Sequence, residues 1–310
     1  MTGDDLPALT EIVAAESGRA GFPAAGEFAA ALRDHYGPTT AGVVFYGSSL
    51  RQQTDLELML DFYVLVDTYR GALQSLAAAA TARLLPPNVY YHEYTFEGRT
   101  LRAKVAVMAV DQFLRGVAPE TFTASLWARF AQPAAILYAR DNEIRRDIIE
   151  GLANAVHTMI LRTLPLMNAS FTAHELWVRA FRETYGAELR PEQDAKGAEL
   201  VDAGLARYSA VTTAVLGVAD SNGLYRHAPA PAARRAAERA WRLRRVLGKA
   251  LNVLRLIKAA FTFQGGLDYA AWKIERHSGV KIELSEADRK RPLLTGARLL
   301  FRTLRRGGLR

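Results

Sequence analysis

Ala41-Gly-Val-Val-Phe-Tyr-Gly-Ser-Ser-Leu-Arg-Gln-Gln53, continuing after a short gap as Met59-Leu-Asp-Phe-Tyr-Val-Leu-Val-Asp67, is the stretch on which the fold turns. Both halves are rich in β-branched and aromatic residues, which suit a pleated, largely buried surface, so Ala41–Gly47 and Met59–Val66 predict two strands. Working outward, residues 7–36 mix Ala, Glu and Leu at helical spacing and stop at Gly37-Pro38. Arg70–Leu85 is Ala-rich and predicts a helix, and Asn88–Phe96 and Thr100–Val110 predict two more strands about a Glu97-Gly98 turn. The order β, β, α, β, β points to a mixed sheet in the first third of an α+β chain.

From Thr121 to Leu216 the spacing is helical almost throughout, and Thr172–Tyr185 opens on a Thr-Ala-His-Glu capping box. Asp220-Ser-Asn-Gly223 and Ala228-Pro-Ala-Pro231 then mark a boundary. The expected organisation is a sheet-bearing domain over 1–118, a mainly helical domain over 119–225 and a basic helical segment over 226–310.

The chain has 310 residues, half of them hydrophobic, enough for a full core. With no cysteine, disulfides and thiolate metal sites are excluded. Met1-Thr-Gly-Asp-Asp5 starts acidic, unlike a secretory signal, and no run between charges reaches the roughly 20 apolar residues that span a bilayer. The net charge of +8 is unevenly divided: from Arg226 onward 21 Lys and Arg face 6 Asp and Glu, so the rest of the chain is acidic. A basic end of this kind suits a polyanionic partner or a solvated helix face. Within it, Leu243, Leu247, Leu251, Leu254 and Phe261 recur at helical intervals, with Arg235, Arg239, Arg242 and Lys249 on another face. This first stripe is expected to pack on the body of the protein. A terminal helix over Pro292–Arg306, with Arg298, Arg302 and Arg305 opposite an apolar stripe, is expected to meet an anionic membrane surface.

Gly47-Ser48-Ser49 ends one predicted strand and Asp61 opens the next. A Gly-Ser bend lets backbone N–H groups approach a phosphate chain with no Cβ in the way, and a strand-borne carboxylate nearby can hold the Mg²⁺ bridging those phosphates. Asp61 ranks first as metal ligand. A second could be Asp55 or Glu57 in the preceding loop, Glu93, or Asp67, which shares a face with Asp61 but lies far along the strand. Arg102 and Lys104 share one strand face, where they could meet a triphosphate or a lipid phosphate or simply be exposed cations. His92, beside Tyr90 and Tyr91, reads as a packed or hydrogen-bonding residue, and the remaining histidines have no metal-ligand spacing.

Tyr46-Gly-Ser-Ser-Leu-Arg-Gln-Gln53 with Met59-Leu-Asp-Phe62 and Val66-Asp67 resembles the mitochondrial-type phosphatidate cytidylyltransferases, whose pattern is Tyr-Gly-Ser-Gly, a Gln four residues on, and a Leu-Asp-Phe strand closing in Val-Asp. The similarity continues in order. It runs through Val89-Tyr-Tyr-His92, Leu101-Arg-Ala-Lys104-Val, Arg129 with Pro133, Leu164-Pro and Phe171, Tyr185-Gly-Ala-Glu-Leu-Arg190, and Lys258-Ala-Ala-Phe-Thr262 with Tyr269 and Lys273. Ser49, His92, Ala259 and Gly265-Gly266 depart from the family pattern and bear on substrate identity.

The resemblance implies a nucleotidyltransferase-fold sheet with helices, then a winged-helix-like domain and basic C-terminal helices. It implies transfer from CTP to phosphatidate, giving CDP-diacylglycerol and diphosphate with Mg²⁺, by a cytoplasmic enzyme peripheral to the inner face of the cell membrane. Asp61 and Lys104 would then be catalytic. Gly47, Ser48, Ser49, Gln53, Tyr91 and Lys258 would bind the nucleotide, and Lys273 with Arg102 the lipid phosphate or membrane. Two rivals remain: a nucleotidyltransferase that uses the same Gly-Ser bend and Asp61 on another lipid phosphate, protein, RNA or small-molecule acceptor, and a nucleic-acid binder, suggested by the high pI, with Thr172–Tyr185 as part of a helix-turn-helix. Nucleic acid is not the expected partner, because that helical middle section is not the basic part of the chain.

Overall fold

The computed structural model describes residues 6–19, 22–52, 59–73, 75–188 and 194–262. Helices α1 (Leu6–Ser17) and α2 (Pro23–Tyr36) lead into β1 (Thr40–Tyr46), with Pro in the first turn of α2 and Gly37 ending it at φ 70°. A short α3 (Ser48–Gln52) follows β1, and β2 (Leu60–Val66) returns antiparallel to it. Helices α4 (Tyr69–Ala72) and α5 (Leu76–Leu84) carry the chain to the hairpin of β3 (Asn88–Phe96) and β4 (Arg99–Ala109). Its tip is Glu97 at φ 47° and Gly98 at φ 74°, the left-handed pair that a two-residue hairpin turn requires.

β4 lies parallel to β2, and β5 (Ala134–Ala139) adds antiparallel to the free side of β1, giving the five-stranded order β3-β4-β2-β1-β5. The fold is α+β, as the sequence indicates. β5 corrects one expectation, since it falls inside the stretch read as helical. Ala134-Ala-Ile-Leu-Tyr-Ala139 has weak intrinsic strand preference, and pairing with β1 decides its conformation.

The helices after β4 are α6 (Val110–Val117) and α7 (Trp127–Phe130), before β5, and then α8 (Asn142–Thr163), α9 (Ala173–Gly186), α10 (Asp194–Ala203), α11 (Leu205–Leu216) and α12 (Pro231–Thr262). A two-stranded ribbon, β6 (Ser170–Phe171) with β7 (Tyr225–Arg226), closes the helical section. The capping box of α9 forms as its sequence requires, Thr172 and Glu175 each accepting from the other's backbone N–H.

Both faces of the central strands are covered, which is why β2 reads as a nearly continuous apolar run. On one face Phe45, Phe62, Val64 and Val105 pack against Phe28 and Leu32 of α2. On the other, Val44, Tyr63, Leu65 and Met108 meet Phe113, Trp127, Phe130 and Ile148, and the same core continues through Trp177 and Tyr208 to Trp241 of α12. At about 25 cal/mol per Å² of apolar area removed from water, burial on this scale holds sheet and helical section together.

The way α12 docks corrects a second expectation. Leu243, Leu247 and Leu254 are 50%, 40% and 51% exposed, so much of the apolar stripe faces outward. The packed face is largely polar. Trp241 Nε1 donates to the Arg162 carbonyl at 3.0 Å, Arg244 Nε to the Phe122 carbonyl at 2.9 Å, and Arg245 Nη1 to Glu183 Oε2 at 2.6 Å. Gly248 permits the approach, because a Cβ there would run into the Ala187 carbonyl. Among the described residues, no helix is long and apolar enough to cross a membrane.

Candidate functional site

Asp61 is the charged residue that interrupts the apolar run of β2, and the strand registers fix its neighbours. Tyr46 of β1 lies opposite Asp61, Asp61 is level with Lys104 of the parallel β4, and Lys104 is opposite Tyr91 of β3. One row of residues therefore crosses four strands on the same sheet face, with neighbouring strands about 4.8 Å apart. Gly47 follows directly, at φ 94°, where a Cβ would stand 2.8 Å from Asp61 Oδ2. Glycine here does two things: it takes a backbone conformation that L side chains rarely adopt, and it leaves room for the carboxylate against the bend.

Above this row opens a cavity of about 660 Å³. Its floor is Tyr46, Gly47, Ser48, Asp61 and Lys104. Arg129 and Gln132 form one wall, while Tyr185 and Glu188 at the end of α9 and Lys196 and Glu199 of α10 form the other. The volume lies within the range of about 300–1,000 Å³ common for small-molecule sites. Arg129 is fixed by donating Nη1 to the Tyr63 hydroxyl at 2.7 Å and by lying 5.7 Å from the Tyr46 ring centroid. Tyr63 beside it holds its pKa above the ordinary arginine value, so Arg129 is a permanent cation at the cavity. Arg51 reaches across from α3 to Gln132 Oε1 at 3.3 Å.

Of the residues singled out from sequence, Gly47, Ser48, Asp61 and Lys104 come together here. Ser49 does not line the cavity: it is buried and donates Oγ to the Met59 carbonyl at 2.9 Å, tying α3 to the start of β2. Tyr91 gives its hydroxyl to Glu93 Oε1 at 2.6 Å, and burial raises its pKa. Glu93 also pairs with Arg102 at 3.3 Å, which gives that cation and that carboxylate a local role at the strand edge. Asp67 stands apart from Asp61. It lies at the far end of β2, roughly 20 Å from Asp61 at about 3.3 Å per residue, and pairs with Arg140 at 2.5 Å. His92 is a packed residue, accepting from or donating to Tyr36 Oη at 3.0 Å, and burial followed by the neighbouring His35 lowers its pKa to about 4. Lys258 lines a smaller adjoining cavity rather than the main one. Gln53, Asp55, Glu57, Lys273, Arg298, Arg302 and Arg305 lie outside the described residues.

Gln132, Glu188, Lys196 and Glu199 carry no signal in the sequence, and Arg129 and Tyr185 stand out there only as parts of the matched segments. Spacing could not have found them, because the cavity wall is assembled from α7, α9 and α10.

Among the described residues no group of three or more His, Asp or Glu could hold a metal ion unaided. Mg²⁺ is usually bound through one or two carboxylates together with substrate phosphates, so the single floor carboxylate Asp61 fits an ion that arrives with a nucleotide.

No protein-family model matches the chain, and no curated protein matches it in sequence. Among solved structures the chain is similar to a nucleotidyltransferase-like protein from Exiguobacterium sibiricum 255-15, with 13% identity, 91% of this chain and 88% of that chain covered, and a TM-score of 0.25. A likeness that low leaves the functional reading to the geometry of the site.

Proposed function

We propose that this chain is a nucleotidyltransferase that transfers the cytidylyl group of CTP to the phosphate of phosphatidate, releasing diphosphate and forming CDP-diacylglycerol. The observation that carries the reading is the Gly47 bend, open for lack of a Cβ, set against the Asp61 carboxylate with Lys104 level beside it on the floor of a 660 Å³ cavity. The order of motif matches from Tyr46 to Lys258 supports the choice of acceptor.

In the reaction an oxygen of the acceptor phosphate attacks the α-phosphorus of the nucleotide. The new P–O bond forms as the bond from that phosphorus to the bridging oxygen breaks, and diphosphate leaves with the electron pair. No proton has to move, because the attacking phosphate is already an anion at neutral pH, so positioning and charge neutralisation make up the catalysis. Mg²⁺ held by Asp61 would supply Lewis-acid charge neutralisation on the phosphate oxygens. Gly47 and Ser48 bring backbone close to the phosphates, Lys104 meets charge accumulating on the bridging oxygen, and Arg129 adds a fixed cation on the facing wall.

A water-soluble protein acting on a two-chain lipid has to dock at a bilayer. The outward stripe of Leu243, Val246, Leu247, Val253 and Leu254 on α12, flanked by the exposed Arg239, Arg242 and Lys249, supports a peripheral position. Each cation near an anionic surface contributes about 1 kcal/mol.

The test is incubation with labelled CTP, Mg²⁺ and phosphatidate in mixed micelles, following diphosphate and CDP-lipid, beside Asp61→Asn. Product from the parent chain and none from the variant is expected. Equal turnover by both, or no nucleotide transfer to phosphatidate, sinks the proposal.

A further inference from the structure

Beside the main cavity lies a second space of about 170 Å³, and Val89, Arg129 and Glu188 line both, so the two share a wall. Three cations converge on it from two elements: Arg129 from α7, and Arg255 and Lys258 from the last turns of α12. Each is held in place by the protein. Arg129 donates to the Tyr63 hydroxyl at 2.7 Å, Arg255 Nε to the Pro86 carbonyl at 3.1 Å, and Lys258 Nζ to the carbonyls of Leu85 and Pro87, the latter at 2.7 Å. Each of the arginine bonds uses one of the five N–H donors of a guanidinium. Among the described lining residues the carboxylate is Glu188, so three positive groups face one negative.

We propose that this smaller cavity is an anion subsite for a phosphate monoester dianion, placed to present that phosphate to the nucleotide in the adjoining space. The acceptor role rests on the function proposed above; the binding of the anion does not. Charge and geometry agree. Burial, with the charge of Arg129 acting the same way, lowers the pKa of Arg255, and burial followed by the charge of Arg255 lowers that of Lys258 to about 8. The charge of Arg129 bears on Arg255 and that of Arg255 on Lys258, and an anion entering beside such cations stabilises them. Two guanidiniums and an ammonium, one from α7 and two from neighbouring positions of α12, suit the tetrahedral dianion of a monoester better than a planar carboxylate. The shared wall at Arg129 places the bound phosphate next to the floor formed by Gly47, Asp61 and Lys104. Lys258 thereby passes from the nucleotide to the acceptor side of the site.

Isothermal titration of the full chain with glycerol 3-phosphate and with dihexanoyl phosphatidate tests this directly. Arg255→Gln and Lys258→Gln should each weaken monoester binding about tenfold while leaving Mg-CTP affinity within about twofold. Glu188→Gln removes the opposing charge and should tighten binding several-fold, a gain that misfolding cannot produce. Tighter binding of the phosphatidate assigns the phosphate to a lipid, and equal affinity assigns it to a soluble ester. Unchanged monoester affinity in all three variants overturns the subsite even where Asp61→Asn abolishes transfer. Monoester binding that responds as expected while Asp61→Asn leaves CTP turnover intact keeps the subsite and overturns the function proposed above.

Discussion

Replacing Gly47 by alanine tests the geometry on which the site depends. The added Cβ would stand 2.8 Å from Asp61 Oδ2 and 3.4 Å from Asp61 Cβ, and the backbone sits at φ 94°. A non-glycine residue held in such a region costs about 1–3 kcal/mol. With an unfolding entropy of about 2 cal/mol/K per residue, that corresponds to a fall in Tm of roughly 2–5 °C for a chain of this length. Backbone strain alone would not touch catalysis. The contact with the carboxylate would, because the Cβ must displace Asp61 by several tenths of an ångström or more, and misplacing a reacting group by about 1 Å costs around 100-fold. Gly98→Ala supplies the control: φ is 74° there, and nothing lies within 4 Å of the new Cβ. Both variants should melt a few degrees lower by scanning calorimetry, but only Gly47→Ala should lose kcat, by about 10–100-fold in the CTP assay. If Gly47→Ala retains turnover within twofold of Gly98→Ala, the carboxylate is not positioned by the bend and the reasoning fails.

Other perturbations separate the remaining elements. Asp67→Asn should leave turnover unchanged, and because Asp67 and Arg140 are 44% and 39% exposed, screening holds the stability loss in urea unfolding under about 1 kcal/mol; a turnover loss matching that of Asp61→Asn would return Asp67 to the metal site. His92 has a folded pKa of about 4 against about 6.5 unfolded, so the unfolded chain binds more protons in that window and stability falls as pH drops from 6.5 to 4, by at most about 3 kcal/mol. His92→Asn should flatten that slope in urea unfolding, and parallel slopes in the two proteins would rule out the assignment. Glutamates at Leu243 and Leu254, both about half exposed, should reduce sedimentation with anionic liposomes without lowering Tm; lost Tm would mean the stripe is packed, and unaltered sedimentation that it does not dock.

The four strands read from sequence share strong local signals, β-branched and aromatic runs, and three of them are bounded by Gly47, Gly98 or a proline pair. β5 offers only Ile136 and Tyr138 of this kind. Its alanines suit either conformation, and what makes it a strand is the edge of β1, contributed by residues some ninety positions earlier. α12 was legible as a helix but not in orientation. Periodicity assumes that the apolar stripe faces the protein, because it counts side chains against a uniform interior. Here the docking partners of Arg244, Arg255 and Lys258 are the backbone carbonyls of Phe122, Leu85, Pro86 and Pro87. A carbonyl belongs to every residue type, so no pattern in the sequence announces it.

The site divides along the same line. Gly47, Ser48, Asp61 and Lys104 were legible because a bend, a strand and a register bring them together, and each of those follows from local spacing. Asp67 shares the face of Asp61 by the same period of two, but its distance along the strand, also legible from sequence, keeps the two apart. Arg129, Glu188 and Arg255 depend on how α7, α9 and α12 converge, and that convergence is set by the core from Trp127 to Trp241. It follows that α12 is more than a basic appendage. By spending its cations on backbone carbonyls, it carries Arg255 and Lys258 into the smaller cavity that shares Arg129 with the main one, so the helix that turns its leucines outward is also the one that walls the space adjoining the site of Asp61.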